Sequence, residues 1–245
     1  MKITITGTEK EFFDLAAWRI AVEICDKPDA VIGFSTGRTT GGIHASLAEI
    51  HNRYQFDTSR MTAFGLDEIT NVSREYFGSC YCMLFNEVVK PLHIPLENYL
   101  MPPTYSDDFN RECRDFEKTI SMRGQVTLQI LGIGENGHIG FNQPGAPFGE
   151  TAWVSKMDED LDKRIRRETG AAPGAELGGL TLGIKNIMRS KKIILAANGS
   201  RKARIIRDAL LGPVTERVPA SVLQLHPDCE VILDADAAGM ITGSP

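Results

Sequence analysis

A histidine set among glycines, a pair of adjacent carboxylates, and a small-residue loop with one arginine are the segments of this chain able to do chemistry. The loop is Gly33-Phe34-Ser35-Thr36-Gly37-Arg38-Thr39-Thr40-Gly41-Gly42. It follows an apolar run and opens a helical pattern. Small residues let backbone N–H groups converge, and a helix N-terminus adds partial positive charge. Ser35, Thr36 and Thr39 add hydroxyls, Gly37 adds backbone freedom and Arg38 a fixed cation. The combination suits a phosphate. No Lys-Ser or Lys-Thr pair follows and the spacing is not G-x-G-x-x-G, so neither nucleotide-loop motif applies. A polar strand-to-helix turn with ordinary caps is the competing reading.

Asp67 and Glu68 follow Leu66 directly. Two adjacent carboxylates are commonly solvated, but at the end of a buried strand one of them can face a pocket and act as a general base. The third segment runs Leu131-Gly132-Ile133-Gly134-Glu135-Asn136-Gly137-His138-Ile139-Gly140-Phe141-Asn142-Gln143-Pro144. Glycines around His138 allow close approach to a ligand. No second histidine or cysteine stands at ligand spacing, so no metal is expected there. Basic residues form a fourth set. Lys163, Arg164, Arg166 and Arg167 read as a solvated helical face, whereas Lys202 opens a helix after another strand.

The elements that must position these residues alternate. Ala30–Phe34, Thr62–Leu66, Val126–Ile133, Lys192–Ala197 and Glu230–Leu233 read as strands, the first four without polar alternation and so buried on both faces. Helical spacing runs from Glu11 to Ile24, through Ile43, Leu47 and Ile50, through Leu84, Val88 and Leu92, and from Ser200, read as a cap, to Leu211. Stretches 91–103, 145–149 and 169–179 read as loops. Strand–helix alternation predicts an α/β fold: a mostly parallel, Rossmann-like sheet with helices on both faces. With no dividing linker, residues 1–245 are expected to form one domain. Ligands of such sheets bind beyond the carboxyl ends of the strands, where the four segments fall.

Composition bounds the rest. The chain has 245 residues, 42% hydrophobic and 24% charged, which is ordinary globular usage. Its net charge is −5, so no nucleic-acid partner is expected. No apolar run approaches a membrane span, and Met1 to Thr6 lacks an apolar leader, so a cytoplasmic protein is expected. The Asn-x-Ser triplets at Asn71 and Asn198 then carry no glycan meaning. Cys25, Cys80, Cys82, Cys113 and Cys229 form no C-x-x-C pair and are expected to be reduced, packed as small apolar residues.

With these residues assembled, the sequence resembles the glucosamine-6-phosphate deaminase/galactosamine-6-phosphate isomerase family, relatives of the 6-phosphogluconolactonases. The likeness rests on Ser35–Thr40, Leu66-Asp67-Glu68, Gly132–Asn142, Gly199–Ala203 and Val218–Pro227, in order along nearly the whole chain. The resemblance implies an amino-sugar-phosphate isomerase/deaminase that needs no cofactor. The substrate phosphate would sit in the Ser35–Thr39 loop, completed by Lys202 and Arg167. His138 would pass a proton to the ring oxygen, and Gly137 would border the ligand. Asp67 would carry the C2 proton to C1, while Glu68 orients its loop.

Two amides depart from the family pattern. Deaminases of the family usually carry aspartate at position 136 and glutamate at 143; this chain has Asn136 and Gln143. Some galactosamine-type relatives share the asparagine. Losing two flanking charges should leave His138 less basic, although amides can still accept its N–H and fix the tautomer. Residues 146–155 hold no basic side chain, so the activation by N-acetylglucosamine 6-phosphate seen in some members is not expected. Two alternatives stand beside the enzyme reading. One is a phosphosugar lactonase, whose relatives tend to a Pro-Asp-Gly-His turn. The other is a non-catalytic sugar-phosphate sensor. Family members include monomers and hexamers, so a homo-oligomer is possible.

Overall fold

The computed structural model describes residues 1–157, 159–172 and 174–241. Its elements in chain order are β1 (Lys2–Thr6), α1 (Glu9–Asp26), β2 (Val31–Phe34), α2 (Arg38–Tyr54), β3 (Thr62–Gly65), β4 (Asp67–Ile69), α3 (Cys80–Leu84), β5 (Tyr99–Leu100), α4 (Phe109–Arg123), β6 (Leu128–Leu131), β7 (Trp153–Lys156), α5 (Glu159–Thr169), β8 (Gly178–Thr181), α6 (Ile184–Ile187), β9 (Lys192–Ala197), α7 (Ala203–Leu211) and β10 (Cys229–Asp234). Seven strands form one parallel sheet in the order β1-β10-β9-β6-β2-β3-β5. This is the expected α/β architecture.

Apolar residues on both faces of each central strand explain the layering. Val31 packs in one core cluster and Ile32 in the other. Ile193 and Leu195 alternate in the same way with Ile194 and Ala196. One face is covered by α1 and α2 through Phe12, Ile20, Ile43 and Leu47, the other by α4 and α7 through Phe116, Ile120, Ile206 and Leu210. Strands buried on both faces tend to lack polar alternation, as β2, β3 and β9 do; β6 carries one buried polar residue, Gln129.

Four expectations are corrected. Stretch 91–103 is not only loop: Tyr99 and Leu100 form the edge strand β5. The helix at Leu84, Val88 and Leu92 is α3 followed by a π-helical turn over Phe85–Val89. Ser200 is not a cap; it begins a 3-10 turn, Ser200–Lys202, after Gly199, and no side chain caps α7. A second sheet, β4-β8-β7, is antiparallel and was not expected. Its strand β8 begins inside the stretch 169–179 read as loop; Pro173 of that stretch lies outside the described residues.

Candidate active site

The four segments that carry chemistry follow four neighbouring strands. Ser35 follows β2, Asp67 follows β3, the His138 loop follows β6 and Lys202 follows β9. These strands lie side by side as β9-β6-β2-β3 and run parallel, so all four segments emerge at one sheet edge. From β2 the chain builds outward through β3 to β5; from β6 it builds the other way through β9 to β10, which lies beside the N-terminal strand β1. The switch in direction falls between β2 and β6. There the sheet offers a crevice, flanked by the Ser35 loop and the His138 loop.

Asp67 is held from both sides. It opens β4, opposite Thr181 of β8. It is 7% exposed, and burial pushes its carboxyl up to about 7, with the neighbouring Glu68 acting in the same direction and a hydrogen bond from Cys80 opposing. At that value the group is close to half ionised at neutral pH, the range a general base needs. Gly140 faces the other carboxylate oxygen. An added Cβ there would stand 3.3 Å from Asp67 Oδ2 and 2.9 Å from Thr181 Oγ1, and φ is +57°, so glycine suits the position on both counts.

Glu68 has no exposure and a different task. Its Oε1 accepts the backbone N–H groups of Ile69 (2.8 Å) and Cys80 (2.9 Å), and its Oε2 that of Tyr81 (2.7 Å). Burial raises its carboxyl while these three N–H donors pull it down. It fixes the start of α3 against β4. Both carboxylates meet Cys80, Asp67 at its thiol and Glu68 at its backbone N–H.

His138 sits half-buried in its turn. Asn136 Oδ1 lies 2.7 Å from His138 Nδ1 and also accepts the His138 backbone N–H at 3.1 Å. Asn136 Nδ2 donates to Gln143 Oε1 at 3.0 Å. The amide of Asn136 is therefore oriented by two neighbours. Its oxygen selects the Nδ1–H tautomer, which puts proton exchange at Nε2. Gln143 holds Asn136, which in turn holds the ring. A Cβ on Gly134 would stand 2.3 Å from His138 Nδ1, so only glycine lets the ring lie on that backbone. The turn is tied to the second sheet by Asn142. Its amide donates to Ile139 O (3.0 Å) and Leu182 O (2.9 Å) and accepts Trp153 Nε1–H (3.0 Å).

The loop expected to hold a phosphate is arranged differently from the sequence expectation. The hydroxyls of Ser35 and Thr39 are committed to the protein: Ser35 donates to Ile130 O (2.8 Å) and Thr39 to Asn198 Oδ1 (2.6 Å). Thr36 Oγ1 lies 3.3 Å from Cys80 Sγ. These contacts set the loop's shape. The exposed Gly37 precedes α2 without a side-chain cap, so the positive end of a 17-residue helix faces outward. Arg38 is exposed at that end. Lys202 Nζ donates to Ile133 O at 2.6 Å. Burial lowers its pKa; Glu135 opposes this, and Arg201 and Arg38 add to it. Lys202 and Arg38 thus feel one another across the crevice. Arg167 is exposed on α5, and among the described residues no hydrogen bond or ion pair joins it to Arg38 or Lys202.

Sequence reasoning missed Cys80, which touches both Thr36 and Asp67. The cysteines are free, but Cys25 is exposed and Cys82 half-buried, so only Cys80, Cys113 and Cys229 are packed inside. Among the described residues no cluster of acidic, histidine or cysteine side chains could hold a metal ion, and no helix is long and apolar enough to cross a membrane. A cavity of about 420 Å³ meets the site only through Glu68, and another of about 470 Å³ lies near Gly124 and Ser190; neither is lined by Asp67, His138 or Lys202.

Comparison with known proteins identifies the family and the fold. Residues 9–232 match the family described as glucosamine-6-phosphate isomerases/6-phosphogluconolactonase. A glucosamine-6-phosphate deaminase of Thermoanaerobacter pseudethanolicus is 36% identical over 241 residues, covering 98% of this chain and 95% of that protein. One from Clostridium botulinum is 34% identical, covering 98% and 99%. Among solved structures, a monomeric glucosamine-6-phosphate deaminase superposes with a TM-score of 0.90 at 33% identity, covering 98% of this chain and all of that one. The 6-phosphogluconolactonase of Thermotoga maritima, 19% identical with a TM-score of 0.74 over 95% and 98% of the two chains, shares the fold. The chain belongs to the glucosamine-6-phosphate isomerase/6-phosphogluconolactonase family.

Proposed function

We propose that this protein is an amino-sugar-phosphate isomerase/deaminase, converting a hexosamine 6-phosphate of the glucosamine or galactosamine type, plus water, to a ketohexose 6-phosphate and ammonia. The observation that carries the reading is the convergence of a buried carboxyl poised near neutrality, an oriented imidazole and a cationic helix end on one sheet edge. Near-full-length likeness to glucosamine-6-phosphate deaminases supports the same class.

In this reading the phosphate is held by the N–H groups at the start of α2, by Arg38 and by Lys202, with Arg167 as a further contact. The loop of Ser35, Thr36, Gly37 and Thr39 shapes that cradle. His138 Nε2 takes the proton of the C1 hydroxyl and passes it to the ring oxygen, opening the sugar to the C1 aldehyde. The C1 aldehyde then acidifies the C2 hydrogen, so no cofactor is required. Asp67 takes that proton and returns it to C1. C1 becomes a hydroxymethyl group and C2 an imine. Water adds to the imine, ammonia leaves, and the ketose remains. Glu68 holds α3 and does not touch the substrate.

The test follows ammonia and ketose phosphate from glucosamine 6-phosphate and galactosamine 6-phosphate. Turnover of at least one is expected, and a folded sample that turns over neither refutes the activity. The amides Asn136 and Gln143 favour one second reading, a sugar-phosphate sensor, which predicts tight binding with no exchange of the C2 hydrogen in heavy water.

A further inference from the structure

We propose that Cys80 is a positioning residue that links the phosphate-loop threonine to the proton-carrying carboxylate: its thiol bridges Thr36 and Asp67 and holds Oδ1 so that Oδ2 faces the Gly140 turn. The proposal deepens the isomerase/deaminase reading and rests on it for its catalytic consequence.

The thiol is well placed for this. Cys80 is the first residue of α3 and 4% exposed. Its Sγ stands 3.6 Å from Asp67 Oδ1 and 3.3 Å from Thr36 Oγ1. A thiol has one proton. When it donates to Asp67, the contact with Thr36 requires the threonine hydroxyl to donate to sulfur. The sulfur cannot drift, because the Cys80 and Tyr81 N–H groups are clamped by Glu68, the residue next to Asp67. Ser79 Oγ accepts the Cys82 N–H at 3.0 Å and fixes the same turn. Asp67, Cys80 and Thr36 are thus three points of one rigid contact, and they join β4, α3 and the loop after β2.

Chemistry favours a donor over a nucleophile. Burial, then the charges of Asp67 and Glu68, push the Cys80 thiol well up, so it keeps its proton. Reactive cysteines need the opposite, an exposed and electropositive setting. The groups facing Asp67 are few. Glu68 is the ionisable neighbour on its own strand and Cys80 the one from α3. Thr181 comes from β8, and the facing turn presents Gly140, two residues after His138.

A donor stabilises the ionised carboxylate. Removing it should therefore move the acid limb of turnover to higher pH. Cys80→Val keeps the bulk without the proton, and Cys80→Ser keeps a hydroxyl donor. For Cys80→Val, the acid limb of kcat should rise by roughly half a pH unit, a rate loss of about threefold on that limb. KM should change less than kcat, and Cys80→Ser should return the limb toward wild type. Carbon-13 NMR titration of the Asp67 carboxyl in the same proteins reads the shift without any substrate. If Cys80→Val fails to fold, Cys80→Ala takes its place. A limb and an NMR midpoint unmoved in the apolar variant, or moved equally in valine and serine variants, overturn the proposal. A wild-type protein that exchanges no C2 hydrogen sinks the enzyme reading instead, and the NMR titration still decides the role of Cys80.

Discussion

Asp67 shows how a strand end can poise a carboxyl for the base role we propose. An isolated aspartate titrates near 3.9 and is ionised throughout the physiological range. Burial moves this one to about 7. The sign for stability follows. Folding favours the protonated form, so stability falls as pH rises from about 4 to about 7 and is flat above. Asp67→Asn should stabilise the fold by on the order of 1–3 kcal/mol at pH 8 and by less near pH 5, read from melting curves at both values. It should also abolish C2 proton exchange while inorganic phosphate still binds. Retained exchange would remove Asp67 from the base role. The His138 turn allows a graded test. Asn136→Ala removes the acceptor that orients the ring and should lower kcat by roughly 10–100-fold. Gln143→Ala should cost less, because Gln143 orients Asn136 and Asn136 the ring. Equal losses would contradict that order. These residues were legible in the sequence because glycines and strand-end positions mark them. Cys80 was not, because nothing in its neighbours signals a contact with Thr36, 44 residues away.

Elements place these residues, and their legibility was uneven. β2, β3 and β9 were read to within a residue, since double burial leaves an apolar run, while the run Val126–Ile133 extended two residues beyond β6 at each end. The second sheet was missed for physical reasons. β4 is three residues long, β8 opens with two glycines, and β7 is partly exposed, so none has a run or a clean alternation. Yet β8 pins Asp67 through Thr181, and Trp153 of β7 pins the His138 turn through Asn142. Glu68 does similar work for α3. Glu68→Ala would strand two buried N–H donors and a part-buried one, and should destabilise the protein by roughly 2–4 kcal/mol, read from urea midpoints. At the cationic end of α2, Lys202→Met should raise KM for the sugar phosphate about 10–100-fold and alter kcat less, since a phosphate contact binds ground and transition states alike.

At the scale of the whole molecule the sheet must stay closed at its far edge. Glu230 on β10 pairs with Lys2 of β1 (3.0 Å) and Arg19 of α1 (2.8 Å), and accepts the Thr4 hydroxyl at 3.0 Å. Burial alone would raise its pKa; the bonds from Arg19, Lys2 and Thr4 outweigh it and hold the carboxyl at about 2. Its stabilisation is present above about pH 4.5 and lost as pH falls toward 2. Glu230→Gln should cost about 1–2 kcal/mol at pH 7, about a quarter of that near pH 2.5 and almost nothing below pH 2. The net charge of −5 has a narrow meaning on this scale. It argues against a polyanion partner and says nothing against one small phosphate met by Arg38, Lys202 and a helix end. The central claim is that this edge moves a proton between C2 and C1 of an amino-sugar phosphate. Incubation of glucosamine 6-phosphate and galactosamine 6-phosphate with the protein in heavy water, followed by proton NMR at C1 and C2 and by ammonia release, tests it most directly. The account predicts loss of the C2 proton signal with at least one substrate, and none with Asp67→Asn. Binding of both sugars with the C2 proton signal intact would contradict it.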